Sequence, residues 1–283
     1  MKFTGDSVVD AEQSRGEVMR AGVMAKRERI DLLLVERGLV ESRTRAQALI
    51  MAGRVFVNGQ RVMKASESFA RDARVEIKGA DDPLTRYVSR GGAKLEAALD
   101  RFQLDVRDLL CLDVGASTGG FTDCLLRHGA RRVVALDVGR GQLDWQLRND
   151  PRVEVREGIN ARHLRPEDFP ERFDLITVDV SFISVTKILP ALVPLLKDDG
   201  RMVVLIKPQF EVGRGEVGRG GIVRDAAKRE RAAAMVNEAA QALGLKVRDM
   251  IESPVRGAEG NVEFLALYEK EDGEVRGELD DGE

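Results

Sequence analysis

Charged residues end four of the apolar runs in this chain. They are Asp113, Asp137, Asp179 and Lys207, which close the runs LLCLD, VVALD, DLITVD and MVVLIK. Because ligands bind outside the carboxyl ends of the strands of an open parallel sheet, these side chains are expected to project into one crevice. Glu263, early in the run NVEFL, joins them if that strand runs antiparallel. Carboxylates beside an amine suit proton transfer, and their spacing is not that of metal ligands.

A glycine-rich turn, DVGASTGGF, follows the first of these runs. As a dinucleotide-binding G-x-G-x-x-G motif it fails at the second glycine, where Ser117 would crowd a pyrophosphate. As G-x-S-x-G it matches the nucleophile elbow of a serine hydrolase, for which His128 and His163 are the available bases. As a nucleoside site it suits S-adenosylmethionine, which carries a sulfonium and no phosphate.

Asp137 follows Gly115 by 22 residues, which suits a carboxylate that binds ribose hydroxyls. A nicotinamide cofactor would require nearly the same spacing, so Asp137 alone does not separate the two cofactors. Ser117 favours S-adenosylmethionine. The strand ends therefore give Asp113 and Asp137 as candidate cofactor contacts.

The segments that must position these residues alternate between strand and helix. Helices are predicted over residues 90–101, 119–128, 184–197 and 225–243. Continuous apolar strands joined by helices predict an α/β fold, a Rossmann-like and mostly parallel sheet covered on both faces. About eight residues separate the last two strand candidates, KVRDMIES and NVEFLALYE. This is too short for a crossover helix, so the last strand is expected to be antiparallel.

A small α+β domain is predicted before this sheet, over residues 26–80. The run IDLLLVER predicts one helix, and Ser42 is placed as the N-cap of a second. Residues expected on one buried stripe of the second helix are Ala46, Leu49, Ile50 and Gly53. Asn58-Gly59 between two β-prone runs predicts a hairpin.

Charge is distributed unevenly along the chain, although the net charge is only -3. Residues 26–78 contain 12 Lys or Arg against 7 Asp or Glu, whereas residues 269–283 contain 8 acids and 2 bases. We expect residues 1–25 to be a flexible extension, 81–89 a linker and 271–283 a disordered acidic tail.

Composition and hydropathy exclude two classes of protein, a secreted product and an integral membrane pore. The two cysteines are too few for a disulfide framework, which indicates a reduced, cytoplasmic chain. No apolar run approaches the ~18 residues of a membrane span, and the N-terminus has no apolar signal core.

Several motifs occur together in an order that resembles one family. The segment RIDLLLVERGLVESRTRAQALIMAGRVFVNGQRV is similar to the alpha-L RNA-binding module of a small-subunit ribosomal protein and of pseudouridine synthases. The motifs YVSRGGAKL, LDVGASTGGFTDCLL, ALDVGRGQL, TVDVSFIS, LIKPQFE and NVEFLAL resemble an FtsJ-like ribose methyltransferase domain, expected over residues 90–270. Over residues 26–270 the chain resembles the TlyA family, whose members are named hemolysin A or ribosomal RNA 2'-O-methyltransferase.

The resemblance implies site residues and a reaction. It implies a catalytic tetrad of Lys94, Asp179, Lys207 and Glu263. It implies S-adenosylmethionine contacts from Gly115, Ser117, Gly119, Asp137 and Asn160. It also makes the segment 86–89 a connection between RNA recognition and cofactor binding. The implied activity is 2'-O-methylation of ribose, at cytidine, in ribosomal RNA.

A mechanistic hypothesis follows. A ribose hydroxyl is a poor nucleophile, so the enzyme must align it and remove one proton. We assign Lys207 as the base, with Asp179 and Glu263 orienting the two lysine amines. The basic module would contact RNA phosphates through Arg43, Arg45 and Arg54. No metal is required.

Three alternatives remain open on the sequence: an RNA-binding ribosome assembly factor with little turnover, a cytolysin, and the serine hydrolase. The stretch EVGRGEVGRGGIVRD, residues 211–225, is interpreted either as a lid that closes over RNA or as a passive flexible loop.

Overall fold

The computed structural model describes residues 27–40, 42–51, 53–78, 86–257 and 260–270. Internal contacts divide the chain into two compact units between residues 78 and 79. The predicted extension and acidic tail lie outside the described residues, as do residues 81–85 of the predicted linker.

The first unit is a small α+β structure, as predicted. Its elements are β1 Arg27–Arg29, α1 Ile30–Glu36, α2 Arg43–Met51, β2 Val55–Val57, β3 Gln60–Arg61, β4 Ser68–Ala70 and β5 Val75–Ile77. Strand β1 pairs with β4, and β2 lies between β3 and β5. Ser42 Oγ accepts a hydrogen bond from Arg45 N at 3.2 Å, which confirms the predicted cap of α2.

The buried stripe of the second helix is confirmed with one correction. Ala46, Leu49 and Ile50 are buried in the core of the first unit. Gly53 lies beyond the end of α2, where its backbone has a φ of +69°. The predicted hairpin is present, with φ values of +52° at Asn58 and +79° at Gly59 that suit a type I′ turn.

The second unit is built around a seven-stranded sheet. Its helices are α3 Arg90–Phe102, α4 Gly120–Arg127, α5 Trp145–Arg148, α6 Leu189–Leu192, α7 Pro208–Glu211 and α8 Ala226–Gln241. Its strands are β6 Leu110–Val114, β7 Arg132–Asp137, β8 Val153–Glu157, β9 Phe173–Val178, β10 Leu196–Ile206, β11 Leu245–Glu252 and β12 Phe264–Lys270.

The sheet is mostly parallel, as predicted. The strand order is β11-β12-β10-β9-β6-β7-β8. Strands β6 to β10 pair in parallel, whereas β12 runs antiparallel to both β10 and β11. Phe264 pairs with Ile206, so the start of β12 lies at the same edge of the sheet as the end of β10. Lys207 follows Ile206 and Glu263 precedes Phe264, so the antiparallel register places Lys207 and Glu263 at neighbouring positions on the two strands.

Apolar side chains cover both faces of this sheet. One core contains Leu112, Ile176 and Val204 with residues of α6 and α8. The other core contains Cys111 and Val203 with residues of α3 and α4. Covering both faces buries the strands, which explains their continuous apolar runs.

The helix predicted over 184–197 is wrong. The segment contains a 3₁₀ turn at Val185–Lys187, the short α6, a second 3₁₀ turn at Val193–Leu195, and then the start of β10. Pro190 and Pro194 explain the interruption, because proline lacks the backbone N–H of a helical hydrogen bond and disfavours helical geometry in the residue before it.

Among the helices that the structure describes, none has both the length and the apolar composition needed to cross a membrane.

Candidate active site

Two neighbouring parallel strands end in an ion pair. Asp179 follows β9 and Lys207 follows β10, and the Nζ of Lys207 lies 2.6 Å from Oδ1 of Asp179. The same Nζ donates a hydrogen bond to Ser181 Oγ at 2.8 Å. Both charged side chains are largely buried, with exposed fractions of 10% for Lys207 and 21% for Asp179. The amine is therefore held between a carboxylate and a hydroxyl.

A second ion pair lies at the same edge of the sheet. Lys94 in α3 donates to Glu263 Oε2 at 2.5 Å, and the side chain of Glu263 is only 2% exposed. Helix α3 is capped by Ser89, whose side chain accepts a hydrogen bond from Gly91 N. A lysine beside an apolar stripe is more often solvated, but Lys94 is buried because Glu263 supplies its counter-charge.

These amines open into a cavity of about 250 Å³. The cavity is lined by Lys94, Asp179, Ser181 and Lys207. Glu263 is not among the lining residues, but it is paired with Lys94, which is. The structure thus brings the four residues of the predicted tetrad together as two ion pairs.

A larger cavity of about 460 Å³ adjoins the first. The residues that line both are Gly115, Ser117, Asp179 and Ser181. Its polar groups include Asp137 and Asn160, and its apolar wall consists of Val114, Leu136, Val138, Ile159, Ala161, Val180, Phe182, Ile183 and Ile188. An apolar slot with a carboxylate at its edge suits a nucleoside.

The glycine turn is shaped by close approaches. Gly115 has a φ of +86°, and a Cβ there would lie 2.5 Å from the backbone oxygen of Asp179. Asp137 accepts hydrogen bonds from Ser117 N at 2.8 Å and Gly139 N at 2.7 Å, one on each carboxylate oxygen. Asp137 therefore organises the turn as well as lining the cavity.

Sequence and structure comparisons assign a family to this site. Residues 87–270 match the model of the FtsJ-like methyltransferase family, and residues 28–71 match the S4 domain. A Mycobacterium tuberculosis (strain CDC 1551 / Oshkosh) protein named 16S/23S rRNA (cytidine-2'-O)-methyltransferase TlyA is 48% identical over 242 residues, which cover 86% of this chain and 90% of the relative. The chain belongs to the TlyA family of FtsJ-like methyltransferases.

Two further TlyA-family comparisons agree. The protein YqxC of Bacillus subtilis (strain 168) is 47% identical over 242 residues, covering 85% of each chain. The solved structure of a Streptococcus thermophilus protein named as a hemolysin is 45% identical, with a TM-score of 0.69 and coverage of 88% of this chain and 90% of that one. The family resemblance and the predicted fold class are confirmed.

Two predicted cofactor contacts of this TlyA-family chain do not line either cavity. Asp113 is fully buried and accepts hydrogen bonds from Thr122 Oγ1 at 2.7 Å and Thr177 Oγ1 at 3.1 Å. Burial raises the pKa of Asp113 to about 7. Strand β6 continues to Val114, so Asp113 still lies within the strand and beneath the turn. We therefore correct its assignment from a cofactor contact to a buried support of the turn.

Gly119 is not among the residues that line the two cavities, although its neighbours Thr118 and Gly120 line the smaller one. It is the N-cap of α4 with a φ of +97°, and a Cβ there would lie 2.3 Å from Leu147 Cδ1. The glycine is thus required by packing and backbone conformation, and its contact with the cofactor stays a prediction.

The serine-hydrolase alternative finds no support in the described residues. Ser117 Oγ lies 3.3 Å from Gln142 Oε1 rather than beside a histidine. His128 follows the far end of α4, where its Nδ1 lies 2.8 Å from Cys124 O, and His163 is exposed in a 3₁₀ turn. A nucleophile of that class needs a base within hydrogen-bonding distance.

The arginines predicted to contact RNA differ in their surroundings. Arg43 is half-exposed and its Nε lies 2.8 Å from Oδ2 of the buried Asp31. Asp31 also bonds to Arg29, and this contact holds the pKa of Asp31 well below its ordinary value. Arg45 and Arg54 are both half-buried. Their contact with RNA stays a prediction.

Sequence reasoning missed several residues of the site. Ser181 receives the hydrogen bond from Lys207, and its position two residues after Asp179 in TVDVSFIS was the available signal. Gly257 lines the smaller cavity, and Phe182 lines the larger. Ser89 also lines the smaller cavity and belongs to the segment 86–89, which the resemblance had linked to cofactor binding. Gly257 lies in the connection between the last two strands, for which no local pattern indicated a role.

The segment 211–225 is hydrogen-bonded near both of its ends to loops at the candidate site. Glu211 is buried and accepts hydrogen bonds from Ser184 Oγ at 2.5 Å and Val185 N at 2.9 Å. Asn261 donates to Gly221 O at 2.9 Å and accepts from Val223 N at 3.1 Å. These contacts tie the segment to the loops that carry Asp179 and Glu263.

Proposed function

We propose that this chain transfers a methyl group from S-adenosylmethionine to a ribose 2'-hydroxyl of ribosomal RNA. The observation that carries the proposal is the Lys207–Asp179 ion pair, which opens into a cavity that shares a wall with the larger, nucleoside-sized cavity. A protein that only binds RNA, or one that lyses membranes, does not require a buried lysine amine between these two cavities. The assembly-factor and cytolysin alternatives therefore do not account for the site.

The larger cavity fits the adenosyl group of S-adenosylmethionine. Asp137 would accept hydrogen bonds from the ribose hydroxyls, and Asn160 lies at the same cavity. Gly115 allows the backbone to approach the cofactor closely, and the apolar wall suits an adenine ring. When bound, the sulfonium supplies an activated methyl group.

The lysines then have separate tasks. Lys207 accepts the proton of the 2'-hydroxyl, for which its Nζ must be neutral at the moment of transfer, and Asp179 and Ser181 hold that atom in place. Lys94 presents an ammonium to the same cavity, where it stabilises negative charge that develops on the ribose oxygen. Glu263 keeps Lys94 oriented.

We assign the RNA partner to the first unit. Residues 26–80 are proposed to be the RNA-binding domain and residues 90–270 the methyltransferase domain. Three observations support this assignment: the match to the S4 domain, the 12 Lys or Arg against 7 Asp or Glu in residues 26–78, and the name of the Mycobacterium tuberculosis relative. The RNA phosphates would be contacted by Arg43, Arg45 and Arg54. The nucleotide that receives the methyl group would be a cytidine of cytoplasmic ribosomal RNA.

A methyl-transfer assay tests the proposal. Purified protein is mixed with methyl-labelled S-adenosylmethionine and ribosomal RNA from cells that lack the gene, and the RNA is hydrolysed in alkali. A 2'-O-methyl group blocks cleavage at its own nucleotide, so the label should remain in alkali-stable dinucleotides. Label in mononucleotides would indicate base methylation instead. If the protein bound RNA but transferred no label, the assembly-factor alternative would be favoured. In a separate assay, leakage of liposomes on addition of the protein would favour the cytolysin.

A further inference from the structure

Gly257 lies directly against the carboxylate of Glu263. A Cβ built on Gly257 would lie 2.0 Å from Oε1 and 2.5 Å from Cδ of Glu263, closer than a Cβ approaches other atoms in proteins. Gly257 is not among the described glycines with positive φ. The backbone at this position therefore does not require glycine, and what glycine provides is room for the carboxylate.

Backbone hydrogen bonds hold the described residues around Gly257. Gly257 N donates to Asn261 O at 2.9 Å, and Ser253 N donates to Glu263 O at 2.8 Å. Gly260 N donates to Gly257 O at 3.2 Å. If a methyl group were added at Gly257, the flexible end of Glu263 is the part that would move.

Displacement of that carboxylate would affect Lys94 directly. The contact between Glu263 Oε2 and Lys94 Nζ is 2.5 Å, and both side chains are at least nine-tenths buried. A buried ammonium that loses its partner moves toward water or changes its protonation, because an unpaired charge is poorly solvated there. Gly257 and Lys94 line the same cavity, so this change would occur where the ribose is proposed to bind.

We propose that Gly257 is a positioning residue for methyl transfer, which leaves the Glu263 carboxylate the space from which it holds Lys94. This inference rests on the proposed function for its catalytic consequence, but the ion-pair geometry can be tested separately. It also assigns a role to the connection between β11 and β12, which the tetrad alone leaves without one.

The first test compares Gly257→Ala with a control substitution at an exposed position. Gly257→Ala should lower the methyl-transfer rate at saturating substrates by about tenfold or more, because Lys94 is misplaced. Affinity for S-adenosylmethionine should stay close to wild type. The midpoint of thermal unfolding should fall by a few degrees because a buried ion pair is disturbed, while the protein stays folded at the assay temperature. Ala242→Ser is the control, since it adds one atom at an exposed position just after α8 and outside both cavities. Wild-type turnover by Gly257→Ala would overturn the proposal.

A double-mutant cycle shows whether Gly257 acts through Glu263. Glu263→Gln keeps the size of the side chain and removes its charge, so the pairing with Lys94 is already weakened. In that background Gly257→Ala should change the rate by no more than about twofold. An equal loss in both backgrounds would mean that Gly257 is simply part of the cavity wall, and would contradict the proposal.

Nitrogen-15 NMR of the lysine ammonium groups gives a readout that does not need turnover. The Lys94 Nζ signal, assigned with Lys94→Arg, should shift in Gly257→Ala in the same direction as in Glu263→Gln. It should not shift in Ala242→Ser. An unchanged signal in Gly257→Ala would overturn the positioning role. If the wild-type protein transferred no methyl group while the signal shifted as expected, the proposed function would fail and the positioning geometry would stand.

Discussion

The Nζ of Lys207 and Oδ1 of Asp179 lie 2.6 Å apart at the carboxyl ends of two adjacent parallel strands. The same two strands carry a second pair at their other end, where Lys197 Nζ lies 2.5 Å from Asp174 Oδ1. The two pairs have the same chemistry and lie on the same strands, but only the first lines the candidate site. The second pair is therefore a built-in control for the first.

Asp179→Asn should lower the rate of methyl transfer by about tenfold or more, because the neutral amide no longer holds the Lys207 amine in position. Affinity for S-adenosylmethionine should change by less than about threefold, since the side chain keeps its shape. Single-turnover rates and calorimetric titration measure the two quantities. Asp174→Asn should leave both unchanged, and an equal rate loss in that control would indicate a general effect of the sheet.

Asp137→Asn should weaken S-adenosylmethionine binding by about 10- to 100-fold, which is the range expected when a charged acceptor is lost from a ligand hydroxyl. The amide can still accept one of the two backbone hydrogen bonds that Asp137 receives from the turn. Titration calorimetry in the presence of RNA measures the affinity. The matched control is Asp144→Asn, since Asp144 also accepts from backbone N–H but lines neither described cavity. Unchanged binding by Asp137→Asn would remove Asp137 from the cofactor site.

Asp113 should make the free energy of unfolding depend on pH. Burial raises its pKa in the folded state to about 7, above the value of about 3.9 expected in the unfolded chain. The folded state therefore binds more protons between these values, and the stabilisation from protonated Asp113 is lost as pH rises toward and through 7.

Asp113→Asn should remove this contribution. Urea unfolding between pH 5 and 8.5 should show wild-type stability falling relative to the variant as pH increases, by about 1.4 kcal/mol per pH unit at most. A constant difference between the two proteins would show that Asp113 does not titrate in this range.

Arg43→Gln should weaken RNA binding and reduce the slope of log affinity against log salt concentration by about 0.7 to 0.9, as expected for one lost phosphate contact. Glutamine can still donate to Asp31, so the change tests charge rather than the local fold. Filter binding across a range of salt concentrations measures the slope. Arg107→Ala removes an exposed arginine that is paired with Asp105 in the second unit, and should leave the slope unchanged. The hypothesis fails if Arg43→Gln also leaves it unchanged.

The sequence predicted the sheet and most of the strand ends, because apolar runs that stop at a charge mark the edge where ligands bind. It could not separate Asp113 from Asp137, since both close an apolar run. The difference arises because β6 continues for one more residue, which keeps Asp113 within the strand and beside Thr122 of α4.

Lys94 shows a different limit. The helical pattern around Lys94 predicted only that this residue lies beside an apolar stripe. Its membership of the catalytic tetrad was implied by the family resemblance. The group that makes its burial possible is Glu263, which is 169 residues away in the chain. No local pattern contains such a pairing, and the same is true of the contact between Gly257 and Glu263.

The central claim is that Lys207 removes the proton from the ribose hydroxyl. The most direct measurement is the single-turnover rate of methyl transfer by protein preloaded with S-adenosylmethionine, compared among wild type, Lys207→Ala and Lys197→Ala. Lys207→Ala should transfer methyl at least about 100-fold more slowly while still binding the cofactor, and Lys197→Ala should match wild type. A near-normal rate in cofactor-bound Lys207→Ala would contradict the account.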